Sequence, residues 1–403
     1  MHILLVADGR SPITRRWIAG LLALQHRVTL VSTYPCPETG EVEATHVLPV
    51  AFAGMGGSQA GGSRGPQERL SLQRRLVGRA RGLLQSARYY LGPLTLRPYA
   101  RQLEKIVSAV KPDLVHALRI PFEGMLAAYT RTNVPLAITI WGNDLTLHGS
   151  KNVLMRRLTV STLKRAEGLV ADTQRDIRMG RLWGFPLERA ALVVPGGGGI
   201  DLTEMHRQRT EITDTLAGSI PGGMPLVVNP RGLRPGYVRN DVFFEAIPLI
   251  LQHKPDVFFA CPSMAGQAEA LGWVDNYKIG RSVRLLPYLP QPQLWDLFKL
   301  SDITVSVSIH DGTPNTLLEA MACGCFPVVG DLESLREWIT PGINGFLVEP
   351  TKPQALAEAV LLGLEKPELR RRAREINLDL IRERAEVGLV RSQIEVFYRR
   401  LVP

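Results

Sequence analysis

Two successive series of short, unbroken apolar runs, each run followed by a segment with helical spacing, restrict this chain's fold more than any other feature. The first series is "HILLVA", "RVTLVS", "DLVHAL", "PLAITIWG", "GLVADT" and "AALVVPGGGG". The second is "PLVVNPRG", "DVFFACP", "SVRLLPYL", "DITVSVSI", "CFPVVG" and "NGFLVE". A run that is apolar at every position, not at alternate ones, suits a strand buried on both faces in a parallel sheet covered by helices. The alternation predicts an α/β chain with two doubly wound parallel-sheet domains, and 403 residues suffice for two such cores. A polar stretch over 204–223 reads as the hinge, which places the domains at 1–205 and 206–385.

In open α/β sheets ligands collect at the carboxyl ends of the strands, so the loops that leave each apolar run are the first places to look for chemistry. The most informative is "SIHDGTPNTLLEAMACG". Thr313-Pro314 fits a helix start, threonine as N-cap and proline as first helical residue, and Gly324 fits its end. The amides of Asn315 and Thr316 then lie at a helix N-terminus, an end that favours anions because of its amide donors and its dipole. Glu319 stands about one turn, roughly 5 Å, further along the axis. A carboxylate there is badly placed for a phosphate but well placed to accept hydrogen bonds from two vicinal hydroxyls. Asp311, before the helix, is placed for a group beyond the phosphates, such as a sugar.

The stretch "DGTPNTLLEAMACGCFPVV", followed by "EWITPGINGFLVEP" and "PQALAEAV", closely resembles the retaining glycosyltransferases of family four. The match is strong over roughly 285–365 and weaker over most of the remaining chain. The resemblance implies the GT-B fold, two Rossmann-like domains facing a central cleft, with the C-terminal helix (386–403) packing back on the N-terminal domain. It also implies that Glu319 binds the donor ribose and Asp311 contacts the transferred sugar. Gly312, Thr313, Pro314, Asn315 and Thr316 would hold sugar hydroxyls and diphosphate, and the main chain near Tyr288 and Leu289 would hold the nucleobase. The family's motif has two glutamates seven residues apart; here the first is the shorter Asp311. Its diphosphate arginine corresponds to Arg231. No lysine follows, and Arg239 is the nearest cationic replacement, with Arg234 behind it.

In the first domain the resemblance assigns "DGRSP" to the loop that meets donor and acceptor, with Gly9 allowing close backbone approach and Arg10 meeting phosphate or an anionic acceptor. His116 in "DLVHAL" corresponds to a histidine segment and is a candidate catalytic residue, a packed core histidine being the alternative, and Leu118 stands where a second histidine is common. In "TIWGNDLTLHG", Trp141, Asp144 and His148 are candidates for acceptor contact. The implied reaction is metal-independent transfer of a hexose-type sugar from a nucleotide diphosphate donor to a glycan, lipid-linked or small-molecule acceptor. A UDP-sugar is the first expectation, GDP- and ADP-sugars the alternatives, and polysaccharide assembly the leading context. A nucleotide-sugar 2-epimerase of the same fold and a non-catalytic nucleotide-sugar binding subunit are the two rival readings.

Net charge of +10 suggests an anionic partner. The segment 68–101 contains eight arginines and one acid, with Leu72, Leu76, Leu83, Ala87 and Leu91 on an approximate helical stripe. It fits peripheral contact with an anionic membrane, or equally a solvated arginine face. No recognised DNA- or RNA-reading motif accompanies the arginines, so nucleic acid is not expected as a partner. The apolar start of the chain is too short for a signal-peptide core and no run reaches the length of a membrane span, so a cytoplasmic location, peripheral to the inner face of the membrane, is expected. The four cysteines have no framework spacing and read as small buried residues, and no metal site is expected.

Overall fold

The computed structural model describes residues 1–38, 40–53, 88–206, 220, 222–234 and 236–402. The chain divides into two compact units, Met1–Gly198 with Arg391–Pro403, and Gly199–Val390. These limits differ from 1–205, 206–385 and 386–403 for a local reason. The Ile200 amide donates to the Ala385 carbonyl (2.7 Å), and the Val387 amide donates to the Ile200 carbonyl (3.0 Å). Those two bonds tie the start of the second unit to the segment that closes it. Most of the expected hinge, and residues 68–87 of the arginine-rich segment with Leu72, Leu76, Leu83 and Ala87, lie outside the described residues.

The first unit is built on seven parallel strands: β1 (His2–Ala7), β2 (Arg27–Ser32), β3 (Ala44–Val47), β4 (Leu114–Ala117), β5 (Leu136–Ile140), β6 (Gly168–Ala171) and β7 (Ala190–Val193). Their order is β3-β2-β1-β4-β5-β6-β7, so the winding reverses between β1 and β4. Leu5 of β1 faces Leu30 of β2 on one side and His116 of β4 on the other. The apolar runs of β1, β4, β5 and β6 are buried throughout, as expected, while that of the edge strand β7 is half-buried. Strand β3, "ATHV", is not among the predicted runs. It is a half-exposed edge strand paired only with β2, and with one face in solvent it needs no continuous apolar sequence.

The second unit repeats the architecture with six parallel strands: β8 (Leu226–Val228), β9 (Phe258–Cys261), β10 (Val283–Leu285), β11 (Ile303–Ser306), β12 (Phe326–Gly330) and β13 (Phe346–Val348). Their order is β10-β9-β8-β11-β12-β13, and the winding reverses between β8 and β11. Separate apolar clusters cover the two faces of this sheet. Among the described residues no helix is long and apolar enough to cross a membrane.

The last helix, Val387–Leu401, ends in the first unit, where Ile394, Phe397 and Tyr398 are buried. Its dock includes His116. The His116 ring is fully buried, with Nδ1 2.6 Å from the Tyr398 hydroxyl and Nε2 2.8 Å from the Thr139 hydroxyl. Trp17 packs edge-on at 5.2 Å between ring centroids. The expected catalytic role of His116 is therefore corrected: it is a core histidine that seats the C-terminal helix, because both ring nitrogens are engaged and water has no access. Burial pushes its imidazole down to about 3. The unfolded chain, with an ordinary histidine near 6.5, then binds more protons than the folded one at acid pH. Stability is expected to fall below about pH 6, with His116 contributing up to about 1.4 kcal/mol per pH unit. Urea titrations between pH 5 and 8 check this, and a His116→Gln variant should lose that part of the slope.

Candidate active site

In the second unit the loops after β8 and β11 leave the sheet side by side, at the point where its winding reverses. The first is set by two buried asparagines. Asn229 accepts from the Arg231 amide (3.2 Å) and donates to Asn240 (3.0 Å), whose own amide group donates to the Gly232 carbonyl (2.8 Å). Gly232 takes φ 60, a left-handed turn that glycine adopts without strain. The result aims the Arg231 guanidinium at Asp311, Nη2 to Oδ2 at 2.7 Å, with both side chains largely buried. Arg231 Nε is buried and has no partner among the described residues.

Asp311 is held from several sides. Ser308 donates to its Oδ2 (3.1 Å), the Gly312 amide to its Oδ1 (3.2 Å), and Ser334 to its main-chain carbonyl (2.9 Å). The following helix is Asn315–Cys323, with Pro314 as the capping residue at ψ 128. The cap thus falls one residue later than the sequence suggests, because the Thr313 hydroxyl accepts from the Trp338 indole (2.9 Å). Trp338 is fixed in turn by its carbonyl bond from Asn344, a buried residue cross-linked to Asn377. The segment "EWITPGINGF" therefore props the turn at Thr313. Gly324 closes the helix at φ 89, as expected.

Glu319 lies on this helix, 3 % exposed, and accepts from Gln291 (2.7 Å) at the head of the helix that follows β10. Leu289 is buried in the core and Tyr288 is 63 % exposed. Asn315 and Thr316 are half-buried at the helix start. Arg239 is turned away from this group: its guanidinium grips Asp241 through Nε (2.9 and 3.0 Å) and Nη2 (2.6 Å). Arg234 stands nearer, with Nε on the Arg231 carbonyl (3.2 Å) and its charge within reach of Asp311.

In the first unit, the loops after β1, β4 and β5 carry the other candidates. Arg10 grips Asp8 through Nε and Nη2, both at 3.0 Å, and stacks 3.9 Å above the Tyr34 ring. Gly9 is needed by its own chain: a Cβ there would meet Cys36 Sγ at 2.6 Å. Asp144 is fully buried and accepts from Arg119 (3.0 Å), the Ile120 amide (3.0 Å) and the Trp141 amide (3.1 Å). This corrects its expected contact with an acceptor: the carboxylate is enclosed and serves to position Arg119. His148 is paired with the Tyr89 hydroxyl (2.5 Å), while Trp141 is half-buried with Arg119 4.8 Å over its ring.

Two family models match the chain: "Glycosyl transferases group 1" over 236–378 and "Glycosyl transferase 4-like domain" over 8–197. The chain belongs to the family-four glycosyltransferases. Its fold is GT-B. The sucrose-phosphate synthase of Thermosynechococcus elongatus superposes with a TM-score of 0.75 at 15% identity, over 100% of this chain and 99% of that one. HepE of Anabaena, solved in complex with UDP, superposes at 0.73 with 16% identity, over the whole of both chains. A D-inositol 3-phosphate glycosyltransferase of Thermobispora bispora is 26% identical over 234 residues, 55% of this chain and 53% of that protein. This chain thus spans about half the length of that curated relative.

Within this family member, sequence reasoning missed the residues that aim others. Asn229, Asn240, Gln291 and Trp338 are polar or amphipathic groups that each have a side-chain partner 11 to 28 residues away, which no local spacing marks. Arg119 and Glu123 had a usable signal. Arg119 follows directly on the apolar run of β4 and Glu123 lies in the same loop, where a charged residue meets the carboxyl end of the sheet.

Proposed function

We propose that the chain transfers a hexose-type sugar, with retention at the anomeric carbon and without a metal, from a UDP-sugar to a hydroxyl of a glycan, lipid-linked or small-molecule acceptor. The observation that carries this reading is the Arg231–Asp311 contact at the reversal point of the second sheet, with a buried guanidinium N–H that has no partner among the described residues. A cation and an acid joined there suit a diphosphate and the sugar attached to it. HepE was solved with UDP-glucose, and the Thermobispora relative is named for glycosyl transfer to an inositol phosphate.

On this reading Arg231 and Arg234 take the diphosphate, together with the start of the helix Asn315–Cys323. Glu319, steadied by Gln291, accepts from the ribose hydroxyls. Asp311, released from Arg231 as phosphate arrives, accepts from sugar hydroxyls. The main-chain groups of Tyr288 and Leu289, which bond to no other described residue, suit the base. The bond from the anomeric carbon to the β-phosphate oxygen breaks while the acceptor oxygen attacks from the same face. The acceptor proton passes to the departing phosphate, whose negative charge the two arginines stabilise. Exposed Tyr90, Leu91 and Leu94, near Arg97 and Arg101, support peripheral contact with an anionic membrane.

Thermal shifts with UDP-, GDP- and ADP-glucose test the donor. UDP-glucose should raise Tm, and Glu319→Ala should weaken its binding by about 10- to 100-fold, the range for a lost hydrogen bond to a charged group. If none of the three stabilises the chain, or Glu319→Ala binds as the parent does, the donor assignment fails. An inverted anomer in the NMR spectrum of the product would overturn retention. Free epimerised sugar nucleotide would point to the epimerase instead.

A further inference from the structure

We propose that the carboxyl end of the first sheet holds a phosphoryl group carried by the acceptor, with Arg88 and Arg119 as its charged donors and Trp141 as a neutral one. The word acceptor rests on the glycosyltransferase reading; the anion site itself rests on the first unit alone.

Three buried N–H groups of this cluster have no partner among the described residues: Arg88 Nε, Arg119 Nε and Trp141 Nε1. All three are donors, so what the cluster lacks is an acceptor of hydrogen bonds. Orphaned buried donors are rare in native chains and mark a missing partner. The charges of Arg88 and Arg119 both reach Tyr89 and Glu123. The Arg119 guanidinium lies over the Trp141 ring at 4.8 Å, and Arg88 lies 4.8 Å from the Phe122 ring and 5.0 Å from Tyr34.

The charge balance also favours an anion. Asp144 is enclosed behind Arg119 and Asp8 is gripped by Arg10. Arg88 donates to a neutral group, the Tyr34 hydroxyl. Glu123 is a further carboxyl within the field of both arginines, buried against Thr33 (2.9 Å). Burial, opposed by the charge of Arg119, raises both this carboxyl and that of Asp144. Among the described residues Arg88 therefore has no carboxylate bonded to it, and Arg119 has only the enclosed Asp144. Planar guanidinium forks match the oxygen spacing of phosphate, and an aromatic platform under each limits their motion.

Titration of the full chain with glycerol 3-phosphate, after saturation with UDP to occupy the second unit, tests this. Glycerol should not compete, and acetate should bind more weakly than the phosphomonoester. Arg88→Gln should weaken glycerol 3-phosphate binding by about 10- to 100-fold, the loss expected for one charge-assisted pair. Trp141→Phe, which keeps the ring and removes the N–H, should weaken it several-fold. Both variants should bind UDP as the parent does. Cosedimentation with phosphatidylcholine vesicles containing phosphatidic acid separates the sources of the phosphate. Binding to the vesicles that is lost in Arg88→Gln would support the site with a lipid phosphate as its occupant. The proposal is overturned if neither probe binds, or if Arg88→Gln and Trp141→Phe bind both as the parent does. Failure of UDP binding with phosphate binding intact would count against the donor assignment and leave this one standing.

Discussion

Replacing Arg231 with alanine is expected to lower kcat for sugar transfer by about 10²- to 10³-fold, the usual cost of removing one preorganised donor from a developing negative charge. The guanidinium is already aimed before any donor arrives: its amide is tied to Asn229, its turn is set by Gly232, and its Nη2 lies 2.7 Å from Asp311. Once phosphate has replaced Asp311 at the guanidinium, little reorganisation remains to be made as the diphosphate leaves, which is why its contribution should fall on kcat more than on KM. The same substitution leaves Asp311 without its ion pair but with Ser308 and the Gly312 amide still bonded to it, so the unit should stay folded. Steady-state kinetics with UDP-glucose, alongside a urea titration, separate the two effects. A variant with unchanged kcat would remove Arg231 from the reaction. Arg239→Ala should change kcat by less than about threefold, because its guanidinium is occupied by Asp241 on the surface.

Tyr398→Ala should destabilise the first unit by about 3–5 kcal/mol, the range for deleting a buried large aromatic side chain. Tyr398 is fully buried, touches the His116 ring edge-on at 5.6 Å between centroids, and supplies the hydroxyl that satisfies His116 Nδ1. Beside it, Gly168 leaves room for Phe397 and Leu401, which a Cβ there would meet at 2.7 and 2.5 Å. Tyr398→Phe should cost less, about 1–3 kcal/mol, as it keeps the ring but leaves a buried histidine nitrogen unpaired. Urea unfolding followed by tryptophan fluorescence measures both. Equal stability for Tyr398→Ala and the parent would show that the last helix does not hold the first unit together.

Much of this was legible along the chain. The apolar runs placed twelve of the thirteen strands among the described residues, missing β3, whose exposed edge needs no continuous apolar pattern. "DGTPNTLLEAMACG" placed Asp311 and Glu319 about a helix start, and the structure confirms that start within one residue. His116 and Asp144 looked like site residues because their types suit chemistry. Residue type alone does not say whether a ring or a carboxylate is enclosed, and both proved to be spent on partners from other elements. Arg239 likewise stood at a fitting distance along the chain, yet its neighbour Asp241 claims it.

The amino-acid sequence by itself determined the alternation of strand and helix, the two parallel sheets and the acid–helix–acid order of the donor segment. Each of these depends on burial periodicity or on residues within one turn of each other. Only the tertiary structure decided which cations face which acids, and which polar groups are left without partners. Arg231 meets Asp311 across 80 residues, and Arg119 meets Asp144 across 25. Such contacts exist only once parallel strands bring their carboxyl ends together, because hydrogen bonds and ion pairs act over a few ångströms of space, whatever the separation along the chain.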